Sequence, residues 1–189
     1  MKTKFRLLLC ALFLAVLPAH SQLTLENIFN AIQNSSNSFM CITEKSVILN
    51  STGNALLGGS SVVSIQVTLP QNTQKWYYRI TVLKKSDTYN YQANEKFCYL
   101  LQNNMKAATY SGAIGYNIDF FLIGHSGQLN SFLNGDTFTP LGKPFYNVNS
   151  FIHEASPTNS NLWIGIRNIN NVQGLRVIVE AVAWGKFNN

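Results

Sequence analysis

The most reactive local arrangement in the sequence is Gly124-His125-Ser126-Gly127-Gln128, which follows an apolar run and precedes a helical pattern. A hydrolase nucleophile elbow has this setting, with a serine exposed on a tight strand-to-helix turn. The elbow needs glycine two residues after the serine, and Gln128 stands there. Asp136 and His153 follow in the order serine, acid, histidine, an order that eight acidic residues and three histidines produce easily. A secreted serine hydrolase centred on Ser126 is therefore the third functional reading, behind a strand-end turn with a solvated histidine.

Metal chemistry has less to build on. His125, His153, Asp119, Asp136 and the cysteines show no C-x-x-C or H-x-x-x-H spacing. Asp87, Asp119 and Asp136 form no D-x-D-x-D calcium loop, and the acids are too scattered to suggest the paired carboxylates of a glycosidase. No metal and no cofactor is expected, and the protein is read as a non-enzyme.

Aromatic residues offer a binding chemistry instead. In Trp76-Tyr77-Tyr78 the strand period puts Tyr77 on the face opposite Trp76 and Tyr78, with Arg79 beyond it, and Tyr89 and Tyr91 follow in a polar segment. Exposed tyrosines on a sandwich suit a sugar-stacking or peptide-binding surface, so Tyr77, Tyr89, Tyr91 and Arg79 are the candidate ligand-binding residues, and a carbohydrate-binding module using the tyrosines is the second functional reading. The plainer view, which we favour for Tyr77, packs it along the stems of Lys75 and Arg79 while Trp76 and Tyr78 enter the core.

The elements that must position these residues are mostly strands. Val63, Ile65, Val67 and Leu69 alternate with Val62, Ser64, Gln66 and Thr68; Trp76, Tyr78, Ile80 and Val82 alternate with Lys75, Tyr77, Arg79 and Thr81. The polar link between the two runs makes them candidate neighbours without fixing a hairpin. Asn117 to Ile123, Asn161 to Arg167 and Leu175 to Trp184 read as further strands. Arg167, Arg176 and Glu180 are expected on the outward face of the last two as a solvated cross-strand charge group. Helical spacing is modest: Leu25, Ile28, Phe29 and Ile32; Phe97, Leu101 and Met105; and a short turn with Leu129 and Phe132, capped by Ser126 and ended at Asn134-Gly135. The expected fold is mainly β, an antiparallel β-sandwich with one or two short helices, in which Val63, Ile65, Val67, Trp76, Ile80, Ile164, Val177 and Val179 share one core.

Residues 1–21 read as a secretory signal: Lys2, Lys4 and Arg6, an apolar run from Leu7 to Leu17, then Ala19-His20-Ser21 before Gln22. Residues 22–189 are then a single domain, with 22–38 as an N-terminal helix and polar linker. Losing the leader takes the formal charge from +6 to about +3, too little for electrostatic capture of nucleic acid. At 46% hydrophobic and 12% charged the chain is not disordered, and no later segment approaches the roughly 20 apolar residues of a membrane span. The expected location is secreted or periplasmic. Cys41 and Cys98 remain after export, either as a disulfide contributing at most ~4 kcal/mol or as two buried thiols. Asn34-Ser35-Ser36 and Asn50-Ser51-Thr52 fit the glycosylation triplet of a eukaryotic source.

One set of motifs carries a resemblance. Leu69-Pro70 with Thr73, then Trp76-Tyr77-Tyr78, and later Leu162 to Asn168, Gly174 and Val177 to Ala183 are similar to uncharacterised secreted bacterial proteins and, more distantly, to the GOLD β-sandwich. The resemblance covers roughly residues 60–184. It implies a non-catalytic module that contacts protein or lipid, and it transfers no functional residue. The disulfide cysteine of GOLD modules falls near Ile164 here, so Cys41 and Cys98 do not match that pair. The leading functional reading is an exported non-catalytic binding module for a protein or glycan at the cell surface.

Overall fold

The computed structural model describes residues 23–32, 36–87, 92–105 and 116–187. The expected signal at 1–21 lies outside them, as do Asn34, Ser35, Tyr89 and Tyr91. Along the chain come α1 (Leu25–Ile32), β1 (Ser38–Leu49), α2 (Thr52–Ala55), β2 (Val62–Thr68), β3 (Thr73–Lys84) and a 3₁₀ turn (Ala93–Glu95). After them come α3 (Phe97–Gln102), β4 (Ile118–Ile123), α4 (Ser126–Asn134), β5 (Phe145–Val148), β6 (Phe151–Ala155), β7 (Asn161–Asn168) and β8 (Leu175–Gly185). Four short α-helices are present among the described residues, where the sequence suggested one or two.

The strands form two four-stranded sheets, ordered β1-β8-β3-β6 and β2-β7-β4-β5. Every pairing is antiparallel. Their facing sides bury Ile65, Val67, Trp76, Ile80, Ile164, Val177 and Val179 in one cluster, with Val63 packed against it, so the expected core is the observed one. A period of two makes this possible, because every second side chain of β2, β3, β7 and β8 points the same way.

Two neighbour relations differ from expectation. β2 and β3 lie in different sheets, and the link through Pro70 crosses from one to the other. β7 and β8 are separated in the same way, so Arg167 stands on one sheet while Arg176 and Glu180 stand on the other. Their solvated charge group does not form: Glu180 is buried, and the Arg167 guanidinium lies 5.6 Å from the Phe121 ring centroid and 5.7 Å from that of Phe132. A strand's alternation names its inner face and leaves its partner open.

Both outer faces are covered. On the first sheet α1 and α3 bury Tyr77 and Val182 together with Ile28, Phe29, Phe97 and Leu101. On the second, α4 sets Phe132 against Phe121 and Ile123. A Cβ on Gly165 of β7 would come within 2.7 Å of the Phe132 ring, so the missing side chain lets this helix lie down on the sheet. As expected, α4 ends at Asn134-Gly135, with Gly135 in the left-handed region.

Candidate functional site

Ser126 and His153 are not brought together. Ser126 opens α4 on the outer face of the second sheet. His153 sits on β6 opposite Tyr78, its ring 5.5 Å from that of Tyr78 and 4.9 Å from that of Phe145, on the side that faces the core. The second sheet stands between them. Ser126 is also not the cap it resembled: His125 occupies the N-cap position and supplies no side-chain hydrogen bond. Among the described residues, no three His, Cys, Asp or Glu side chains group closely enough to hold a metal ion.

Tyr77 and Arg79 require a correction as ligand-binding residues, since they are only 0% and 6% exposed. The polar-looking face of β3 is roofed by α1, from before β1, and by α3, from just after β3. The Tyr77 ring meets Phe39 edge-on, with centroids 6.1 Å apart. Burial pushes its phenol pKa up, and the Glu154 carboxylate raises it further. Arg79 donates from Nε to Glu180 Oε2 at 2.6 Å and from Nη2 to the Glu95 carbonyl at 2.7 Å, with its guanidinium 5.5 Å from the Phe97 ring centroid.

These contacts fix α3. Its N-cap, Lys96, offers no side-chain bond, so Glu180 Oε1 accepts the Phe97 N–H at 2.7 Å instead. Lys96 itself pairs with Glu44 of β1 at 3.0 Å. The disulfide Cys41–Cys98, one of the two states the sequence left open, joins β1 to α3 with Cα atoms 5.6 Å apart. Beside this clamp lies an open cleft of about 590 Å³, floored by Phe29, Ile32, Phe39 and Leu101 and edged by Asn37 and Gln102. Gln102 already donates to the Phe39 carbonyl, and Asn37 to Gln74 Oε1, so both edge amides help hold the elements around the cleft.

The opposite end of the sandwich is built differently. β1 leaves the first sheet at Leu49, and α2 begins two residues beyond Asn50, with Ser51 Oγ accepting the Asn54 N–H at 3.2 Å. The link from β7 to β8 runs alongside. Thr52 N donates to the Asn170 carbonyl at 2.9 Å, Gly53 N to that of Asn171 at 3.2 Å, and Thr52 Oγ1 to Asn171 Oδ1 at 2.8 Å. The approach is close enough that a Cβ on Gly53 would stand 2.7 Å from the Asn171 oxygen.

Asn168 joins these segments. Fully buried at the end of β7, it donates from Nδ2 to the Asn50 carbonyl at 2.8 Å and to the Gln173 carbonyl at 2.9 Å. Its Oδ1 accepts from Asn170 N at 2.9 Å and Asn170 Nδ2 at 2.6 Å. One amide thus ties the exit of β1, the turn after β7 and the approach to β8. The two loops hold their apolar side chains outward: Leu56, Leu57 and Val172 are 88%, 87% and 90% exposed. Neither 50–61 nor 169–174 contains a charged residue. Exposed Lys84 and Lys85 stand at the base of this end, where Lys85 N donates to the Gly174 carbonyl at 3.0 Å and Lys85 Nζ to Asn50 Oδ1 at 3.1 Å.

Sequence reasoning missed this end. Leu56-Leu57 between Asn, Gly and Ser was a readable signal of apolar residues outside any strand or helix period; the convergence on Asn168 was not readable. Compared with known protein families the chain matches none, and it matches no curated protein.

Proposed function

We propose that the protein is an exported, non-catalytic binding module that engages its partner through loops 50–61 and 169–174. One observation carries this reading: a buried asparagine and a set of loop-to-loop hydrogen bonds hold two uncharged loops so that Leu56, Leu57 and Val172 project into solvent. Ordering loop backbone costs roughly 1–2 kcal/mol per residue. A rigid frame displaying apolar side chains on ordered loops is a common arrangement for recognition. The resemblance to GOLD modules supports a binding role, and the disulfide is in keeping with an oxidising compartment outside the cytoplasm.

The test is retention of the purified mature protein by the surface fraction of the exporting cell. Retention that falls at least tenfold in Leu56→Ser/Leu57→Ser/Val172→Ser, with an unchanged unfolding midpoint, supports the reading. Equal retention of the variant overturns it. N-terminal sequencing of exported material should begin at Gln22; a start at Met1 removes the export part.

A further inference from the structure

We infer that the occupant of this loop end is a membrane surface bearing anionic phospholipid headgroups, with Leu56, Leu57 and Val172 entering the interface and Lys84 and Lys85 meeting phosphates. The inference rests on the loop-end reading above and names its partner.

Three features favour a lipid surface over a protein one. The exposed side chains are aliphatic, whereas protein hot spots draw on Trp, Tyr and Arg, none of which occurs in 50–61 or 169–174. The two loops carry no charge that would have to leave water on insertion. Much of their backbone is already paired: Thr52 and Gly53 N–H bond across to the second loop, and Ala55, Leu57 and Gly58 N–H bond to Ser51, Asn54 and Ala55 carbonyls. A loop dipping into the apolar boundary of a bilayer needs such internal pairing, because water is scarce there.

Charge complementarity supplies the fourth feature. Register places Lys84 opposite Leu175 at the start of β8, and Lys85 is bonded to Gly174, so both lysines sit at the foot of the projecting loops. A lysine there can reach headgroup phosphates while the leucines lie deeper. Asp87 lies beside them, its Oδ2 accepting the Lys84 backbone N–H at 3.2 Å, and the Lys84 ammonium stands 5.6 Å from the Tyr116 ring centroid.

The experiment is co-sedimentation of the mature protein with vesicles of phosphatidylcholine alone and with vesicles containing phosphatidylglycerol. Binding to the anionic vesicles is expected, weakening as salt is raised. Leu56→Ser/Leu57→Ser should lower it at least tenfold. Lys84→Gln/Lys85→Gln should remove the preference for anionic lipid, and unchanged unfolding midpoints exclude misfolding. Failure of the unsubstituted protein to bind either vesicle, or binding indifferent to the leucines, overturns the inference. If vesicles fail while the cell-surface fraction still retains the protein through those leucines, the partner is a protein and the loop-end reading stands. If both fail, both readings fall.

Discussion

Glu180 of β8 caps a helix that does not belong to its own segment: its Oε1 accepts the Phe97 N–H at 2.7 Å across 83 residues of sequence. The other carboxylate oxygen holds Arg79, so one buried acid satisfies an unpaired helix donor and a buried cation together. Removing Arg79 takes the guanidinium away from a buried carboxylate. Arg79→Met should cost about 3–5 kcal/mol in denaturant unfolding. Arg79→Met/Glu180→Met should cost clearly less than the two single changes summed, and strict additivity would refute the coupling.

Asn168→Ala should loosen the loop end before it loosens the core. It leaves the Asn50 and Gln173 carbonyls and the Asn170 N–H without the partner they have now, and each buried group left unsatisfied costs about 1–3 kcal/mol. Hydrogen exchange should accelerate at the Thr52 and Gly53 amides while the β3 and β8 amides stay protected. Uniform acceleration over both sets would contradict a local role.

Tyr77 and Tyr78 should make the protein alkali-sensitive. Burial raises both phenols above the ordinary value of about 10, and for Tyr77 the Glu154 carboxylate adds to it. The folded state therefore keeps these protons after the unfolded chain has begun to release them. The stabilisation is complete below about pH 10 and is lost as pH rises beyond it. Unfolding midpoints should fall above pH 10, with tyrosinate absorbance from two residues appearing only on unfolding. The Tyr78 hydroxyl is buried with no hydrogen-bond partner among the described residues, so Tyr78→Phe should be neutral or stabilising at pH 7 and should flatten the alkaline loss.

Two serines that look alike in sequence should behave differently. Ser51→Ala removes a side-chain cap and should cost about 1 kcal/mol. Ser126→Ala removes no cap and should stay within about 0.5 kcal/mol. Because the second sheet separates Ser126 from His153, no short-ester turnover should depend on either residue. Turnover lost in both Ser126→Ala and His153→Ala would overturn the non-enzyme reading.

The inner faces of β2, β3, β7 and β8 were legible in the sequence because a period of two survives along each of them. β1 was not, since its register shifts between Cys41 and Thr43 and interrupts the alternation. β5 and β6 are short, and no residue in either is fully buried, so neither has a contrasting face to read. Tyr77 and Arg79 misled for a different reason: a face with tyrosine, arginine and threonine looks solvated until α1, from before β1, and α3, from just after β3, cover it. Asn168 was hidden as one asparagine in a polar run, because its burial depends on three segments meeting.

The strand order also governs when the protein can fold. β8 lies between β1 and β3, so the first sheet has no centre until Leu175–Gly185 is present, and β4 with β5 is the one pair in either sheet joining strands consecutive in sequence. Pairings this remote must close long loops before any contact rewards them, which slows folding. During synthesis, then, β3 can pair with β6 once Phe151–Ala155 has emerged, but β1 waits for β8, and almost the whole domain must be made before the two halves of the first sheet are joined.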